Sequence, residues 1–430
     1  MISSQLLQIS GRIRESAFLG NISKLVSGDI LAQLAAFAAL PFITRIYGPE
    51  AFGLLGIFMA FSDVGAKFAN LRYDIALVLP ESDASAWALY RLAQRWALCF
   101  VLLVLLFSYN YRWEITGYFD VEVIAPYFPL IALMVLAIGW QGLASYWSMR
   151  MLHFKALAEA SAGSALIGSA FKILAGVSGM GPAGLLLGTA VQRWLNFLFI
   201  RVRTPGSIWL HATSPGNAKR QLLQYREFPL YRMPQDVLNC CSRMLPNVLM
   251  LAFFGPLAAG FYILADRIVQ LPFSLFQEAV RKVFYVKAVE AERQGGELLQ
   301  LSLKLTGMLL FVIVPALALV IFCGPLAFSI IFGQAWIVSG EYARWIMVAV
   351  LANFICLPAS VLIPVMKWNR FYLIFEALSS VFRLSIIALV GCNFTAQTTV
   401  MSIALCSAAV SLLLFSIVMF RLVKTGRQNR

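Results

Sequence analysis

Arg232, Asp236, Asn239, Arg243 and Asn247 step through a strongly apolar run by four, three, four and four residues, a spacing that sets all five on one face of a helix. An ion at bilayer depth costs about 2.5–3.5 kcal/mol on insertion scales, so such a face must meet either water or partner groups. Two arrangements satisfy it. The stripe lines a hydrated interior cavity, or it ties helices together, with Asp236 bonding Arg232 or Arg243 one turn away. A second constellation, Asp266-Arg267 followed by Gln270 and Pro272, places two opposite charges about 100° apart around a helix, so they cannot simply neutralise each other. Arg267 then reaches into a cavity or pairs with a neighbouring helix. An arginine fork offers paired, charge-assisted hydrogen bonds to phosphate oxygens.

Other ionisable side chains lie inside apolar runs: Asp29 with Gln33, Asp63 with Lys67, Arg91 with Arg95, Glu159 with Lys172, and Glu376 with Arg383. Arg91 and Arg95 either face the interior or snorkel to the membrane surface. Within these runs Lys and Arg outnumber Asp and Glu, which predicts an electropositive interior suited to an anionic substrate and unsuited to an organic cation. The substrate-binding candidates are therefore Arg267, Arg232, Arg243, Asn239, Asn247, Lys172 and Arg383. Asp29, Asp63, Asp236 and Asp266 are the candidates for ion coupling or charge pairing. No metal-ligand spacing occurs, and the only histidines, His153 and His211, lie in loops where they read as surface groups rather than catalysts. No catalytic residue is assigned.

The elements that must position these groups follow from hydropathy. The chain has 430 residues, 60% hydrophobic and 13% charged, with apolar runs of the length that crosses a ~30 Å hydrocarbon core. Backbone groups in lipid must be satisfied within the segment, and runs this long exclude barrel strands, so the fold class is all-α. Spans are expected near 22–44, 52–70, 84–108, 125–149, 157–177, 182–200, 229–253, 258–279, 300–322, 342–365, 371–391 and 398–420. Apart from Arg45, Arg112 and Arg344, the loop and terminal Lys and Arg residues fall on one side of this arrangement, which places both termini in the cytoplasm. The net charge of +14 thus reports topology and gives no reason to expect nucleic acid. Residues 1–20 read as an amphipathic lead-in on the membrane surface. Trp113, Trp336, Tyr342 and Trp368 read as interfacial anchors.

An internal repeat divides the chain. Gly48-Pro49 with Gly53 recurs as Gly255-Pro256 with Gly260 at a constant offset of 207, and Phe154 with Glu159 recurs as Phe371 with Glu376 at 217. Simple hairpin chemistry also explains the Gly-Pro pairs. Two pseudo-symmetric six-helix lobes are expected, 1–203 and 228–430, joined by a polar cytoplasmic linker over 204–227.

Several strings resemble the Wzx-type flippases, the polysaccharide transporter branch of the multidrug/oligosaccharidyl-lipid/polysaccharide exporter superfamily. They are Ile46-Tyr47-Gly48-Pro49-Glu50-Ala51-Phe52-Gly53, Arg72-Tyr73-Asp74-Ile75-Ala76-Leu77-Val78-Leu79-Pro80, Gly179-Met180-Gly181-Pro182-Ala183-Gly184 and Phe332-Gly333-Gln334-Ala335-Trp336. Ala265-Asp266-Arg267 with Leu271-Pro272 is similar to a stretch of lipid II flippases in which the arginine is a proposed lipid-phosphate contact, and it carries Arg267 forward as the best single site.

The resemblance implies a bacterial inner-membrane flippase. Its substrate is an undecaprenyl-pyrophosphate-linked oligosaccharide, an O-antigen, capsule or exopolysaccharide repeat unit, moved from the cytoplasmic to the periplasmic leaflet by alternating access. It further implies coupling to a proton or sodium gradient with no bound cofactor, contact with membrane lipid, and polymerase and chain-length proteins as partners. No glycine-rich nucleotide loop with lysine and serine or threonine is present, which argues against direct ATP use. A drug/cation antiporter of the same superfamily needs an acidic aromatic pocket. A membrane polymerase or ligase needs clustered acid/base groups or a sizeable outer domain.

Overall fold

In a computed structural model of the chain, which describes residues 28–428 apart from 29, 119–121, 205–214, 294–297 and 367, the apolar runs close their backbone hydrogen bonds as helices, and no strand occurs among the described residues. In chain order they are α1 (Ile30–Ile46), α2 (Pro49–Asn70), α3 (Tyr73–Ala76), α4 (Asp83–Tyr118), α5 (Phe128–Arg150), α6 (Phe154–Val177) and α7 (Gly181–Arg203). There follow α8 (Pro215–Gln224), α9 (Met233–Arg293), α10 (Leu298–Phe332), α11 (Ile337–Val365), α12 (Asn369–Gly391) and α13 (Ala396–Gln428). Ten described helices are long and apolar enough to cross a membrane, and α1 is a shorter apolar helix. α9 carries both the seventh and the eighth expected spans, because its 61 residues are broken at Gly255, where φ 78° and ψ 177° leave the helical region. The protein is thus an all-α polytopic membrane protein with about twelve spans.

The chain falls into two compact units, Met1–Tyr47 with Ile57–Met244, and Gly48–Gly56 with Leu245–Arg430. This division differs from the expected boundaries at 204–227. The described part of that linker includes α8, and the crossing into the second unit comes later, inside α9. One cause is that the first turns of α9 are tied to the end of α2 by an ion pair in unit 1. The other is a close backbone crossing in unit 2. A Cβ on Gly53 would fall on the carbonyl oxygen of Pro256, and one on Gly260 would fall on the carbonyl oxygen of Pro49. The two copies of the repeat therefore meet reciprocally, which hairpin chemistry alone does not require.

Unit 1 is organised around an aromatic knot. Trp87 stacks on Tyr90 at 4.9 Å between ring centroids and meets Trp147 edge-on at 5.2 Å. Tyr73, Ala76 and Leu77 are buried against the same cluster, so α3 and the segment after it are seated on α4 and α5. Arg150 completes the seat: it donates to the carbonyls of Leu77 and Val78, both at 3.2 Å, and pairs with Asp83 at 2.9 Å.

In unit 2, α10, α11 and α13 pack together, and Gly340 lets α11 approach the α10 backbone at Gly324 and Pro325. Trp336 and Tyr342, expected as interfacial anchors, are 1% and 3% exposed. They belong to the core instead, because the left-handed Gly333 (φ 111°) turns the chain and Trp336 packs edge-on to Phe52 and Phe261 at 5.1 and 6.0 Å. Trp368 lies under the guanidinium of Arg421 at 3.9 Å.

Candidate functional site

The most tightly built charged cluster of unit 1 starts where α2 ends. Leu71 and Arg72 both take left-handed backbone angles, φ 46° and 59°, a conformation that costs a side-chain-bearing residue about 1–3 kcal/mol and persists only where surroundings hold it. The reversal brings Arg72 to two carboxylates. Its Nε donates to Asp236 Oδ2 at 2.5 Å, and its Nη1 donates to Asp74 Oδ2 at 3.3 Å. Arg232, one turn before Asp236, reaches the same Asp236 oxygen at 3.3 Å.

Asp74 is nearly enclosed, with 5% of its side chain exposed. Burial pushes its carboxyl above the usual carboxylate range, opposed in decreasing order by Arg72, the Ile75 backbone N–H, Lys67 and Asn70. Asn70 donates to the Gly139 carbonyl at 2.9 Å. Gly142 lies so close that a Cβ there would stand 3.3 Å from Asp74 Oδ2. Among the described residues, Asn70 Oδ1 and Asp74 Oδ1 are buried acceptors without a hydrogen-bond donor.

A second cluster lies between α6 and α7. Lys172 Nζ donates to Gln192 Oε1 at 2.8 Å, and a Cβ on Gly188 would strike the Lys172 stem, so this glycine makes room for the lysine. The amide is neutral. Tyr47 donates its hydroxyl to the Lys172 carbonyl at 2.8 Å, against Gly176 and Gly184. Two of the glycine-containing strings noted in the sequence are thereby brought together. Arg193 points to Gln141 Oε1 at 3.5 Å. Glu159, by contrast, is paired with Arg203 at 3.2 Å and Lys155 at 3.7 Å.

Unit 2 holds a polar cavity of about 230 Å³ whose lining includes Gln277, Arg281, Asn353, Tyr372, Glu376 and Arg383. Arg383 and Glu376 approach to 3.9 Å, at the limit of an ion pair, and Arg383 Nε is buried without a hydrogen-bond acceptor among the described residues. Ser411 donates to Asn353 Oδ1 at 2.8 Å, which leaves the Asn353 amide hydrogens for the cavity. Elsewhere in the unit Asp266 is half-buried and Arg267 exposed, as their angular separation requires. Asp266 accepts from the Gln270 side-chain amide one turn on.

The stripe therefore divides, with Arg232 in the turn that precedes α9. Arg232 and Asp236 join the α2 reversal in unit 1, where Asn239 is exposed, while Asn247 is half-buried in unit 2. Asp63 is half-buried on α2. Asp29 and the Arg243 side chain lie outside the described residues, as do His211 and the lead-in over 1–20. Four participants were missed as site residues: Arg72, Asp74, Gln192 and Arg281. Arg72 and Asp74 carried a signal, two opposite charges at the end of a span inside a recognised string. Gln192 is uncharged, and Arg281 reads as one of many cations flanking a span.

The geometry can be set beside known proteins. A family model described as "Polysaccharide biosynthesis protein" matches residues 42–341. Among solved structures, "Lipid II flippase MurJ, inward closed conformation" is 13% identical, with TM-score 0.70, covering 93% of this chain and 87% of that one. The inward-facing conformation of a multidrug resistance MATE family transporter of the MOP superfamily is 12% identical, with TM-score 0.64, covering 94% and 96%. At these identities the likeness establishes the fold alone. No curated protein matches the sequence.

Proposed function

The chain belongs to the polysaccharide biosynthesis protein family, and on that premise we propose that it is a flippase for an undecaprenyl-pyrophosphate-linked oligosaccharide. The observation that carries this reading is the cavity of unit 2, whose charged lining of Arg281, Arg383 and Glu376 is net positive. Such a lining attracts phosphate or acidic sugar and disfavours an organic cation. The substrate needs a catalyst because a glycan and two phosphates cannot cross hydrocarbon unaided.

In this proposal the lobes alternate between openings to the cytoplasmic and periplasmic sides of a bacterial inner membrane, with both termini cytoplasmic. The head group passes through the polar interior while the prenyl tail stays in lipid. Arg267, Arg243, Arg232, Lys172 and Arg383 supply cationic contacts, and Asn239 and Asn247 hydrogen bonds to sugar hydroxyls. A proton or sodium gradient drives the cycle, with Asp29, Asp63 and Asp266 as the candidate carboxylates. Polymerase and chain-length proteins take up the product.

The fold is shared with a multidrug transporter, so a drug/cation antiporter is the second reading. The test is a strain carrying Arg267→Ala and Arg383→Ala, with membrane insertion verified. Accumulation of the lipid-linked intermediate on the cytoplasmic side is expected. Normal surface polysaccharide, or gene-dependent drug resistance with unchanged polysaccharide, would overturn the proposal.

A further inference from the structure

The last turns of α9 and the first turns of α10 face each other with the same pattern. On α9 the facing residues are Val280, Val283, Phe284 and Lys287; on α10 they are Leu301, Lys304, Leu305 and Met308. Both sets run at steps of three, one and three, which is one stripe of a helix. They enclose a groove of about 410 Å³ that is apolar apart from its two lysines.

Lys287 stands six residues before Arg293, where α9 ends, and Lys304 six residues after Leu298, where α10 begins. At 1.5 Å per residue both are about 9 Å from the tip of the helical hairpin. The two lysines therefore stem from one level of the pair of helices, with Val280, Val283, Phe284, Leu305 and Met308 on the side away from the helix ends at Arg293 and Leu298. Val283 and Met308 are 60% and 64% exposed. The membrane-length apolar part of α10 begins at Leu298 and includes its wall of the groove, whereas that of α9 ends at Ser274, before its wall, so the groove borders the membrane-length apolar helices on one side.

We propose that this groove holds one anionic phospholipid, its phosphate between Lys287 and Lys304 and one acyl chain along the apolar stripe. Charge complementarity selects the head group, because a zwitterionic lipid would present its own cation to two lysines. A free phosphate would leave the apolar stripe uncovered. The site is separate from the cavity assigned to transport and stands whether or not the flippase proposal does.

The test is native mass spectrometry of the purified full chain with phosphatidylglycerol, phosphatidylcholine, undecaprenyl phosphate and inorganic phosphate as probes. Phosphatidylglycerol is expected to be retained over phosphatidylcholine. Lys287→Gln and Lys304→Gln should each weaken it roughly fivefold, and both together roughly thirtyfold, at about 1 kcal/mol per basic residue. Val283→Trp, which fills the groove at an exposed position, should abolish retention with both lysines intact, and Lys287→Arg should preserve it. Equal retention of the two phospholipids, an unchanged double variant, displacement by inorganic phosphate, or tighter retention of undecaprenyl phosphate would each overturn the assignment.

Discussion

Arg72 Nε donates to Asp236 Oδ2 across 164 residues of chain at 2.5 Å, joining the reversal after α2 to the opening turns of α9. Both side chains are largely buried, 17% and 13% exposed. Removing Asp236 takes away one of the two carboxylates that Arg72 reaches and leaves a largely buried guanidinium only partly satisfied, so Asp236→Ala should destabilise the folded protein by about 1–3 kcal/mol. Thermal unfolding in detergent reads this directly. The exchange Arg72→Asp with Asp236→Arg should recover part of the loss, less than all of it because Asp74 and Arg232 face the exchanged charges.

Asp74 gives a pH signature with a definite sign. Its carboxyl is raised in the folded state by burial, so the folded protein binds this proton more tightly than the unfolded chain. The resulting stabilisation is complete below the ordinary carboxylate value and is lost as pH rises through the raised one. Asp74→Asn, a neutral near-isostere, should match the wild type in acid and become more stable than it as pH rises through that value. Melting temperatures across a pH series check this.

The reciprocal approach of Gly53 to Pro256 and Gly260 to Pro49 leaves no room for a side chain, because the obstructing atoms are backbone. Gly53→Val or Gly260→Val should each cost at least the 1–3 kcal/mol typical of overpacking. Gly48→Ala, where a Cβ meets nothing within 4 Å, should be tolerated. Yield of monodisperse protein and unfolding temperature distinguish the two outcomes.

Gln192 holds the Lys172 ammonium through a neutral oxygen at 2.8 Å. Gln192→Glu would set a carboxylate on the Lys172 ammonium in place of the amide, so translocation should fall several-fold while thermal stability holds or rises. A Gln192→Asn variant, neutral but one methylene shorter, should retain more transport than the glutamate.

The sequence made some of this legible and hid the rest for physical reasons. Span length and number follow from hydropathy, which is a local property, and the repeat was visible because Gly53 and Gly260 are required at a backbone crossing. Spacing offers Asp236 only its intrahelical neighbours Arg232 and Arg243. Its closest partner, Arg72, comes from another helix through a left-handed turn that no glycine advertised. Trp336 looked like an anchor from its place near a span end, whereas the turn at Gly333 carries it into the core. Arg281 reads in the sequence as one more cation flanking a span, since charge alone does not show that a side chain lines a cavity.

The most direct measurement reconstitutes the purified chain in liposomes with a fluorescent undecaprenyl-pyrophosphate-linked oligosaccharide and follows leaflet exchange by quenching from outside, under an imposed proton or sodium gradient. Exchange that depends on the protein and the gradient, and that falls at least tenfold when Arg267 and Arg383 are both replaced by alanine, is the expected result. Exchange no faster than in empty liposomes under either gradient, or unaffected by the two substitutions, would contradict a cationic path for a lipid-linked glycan.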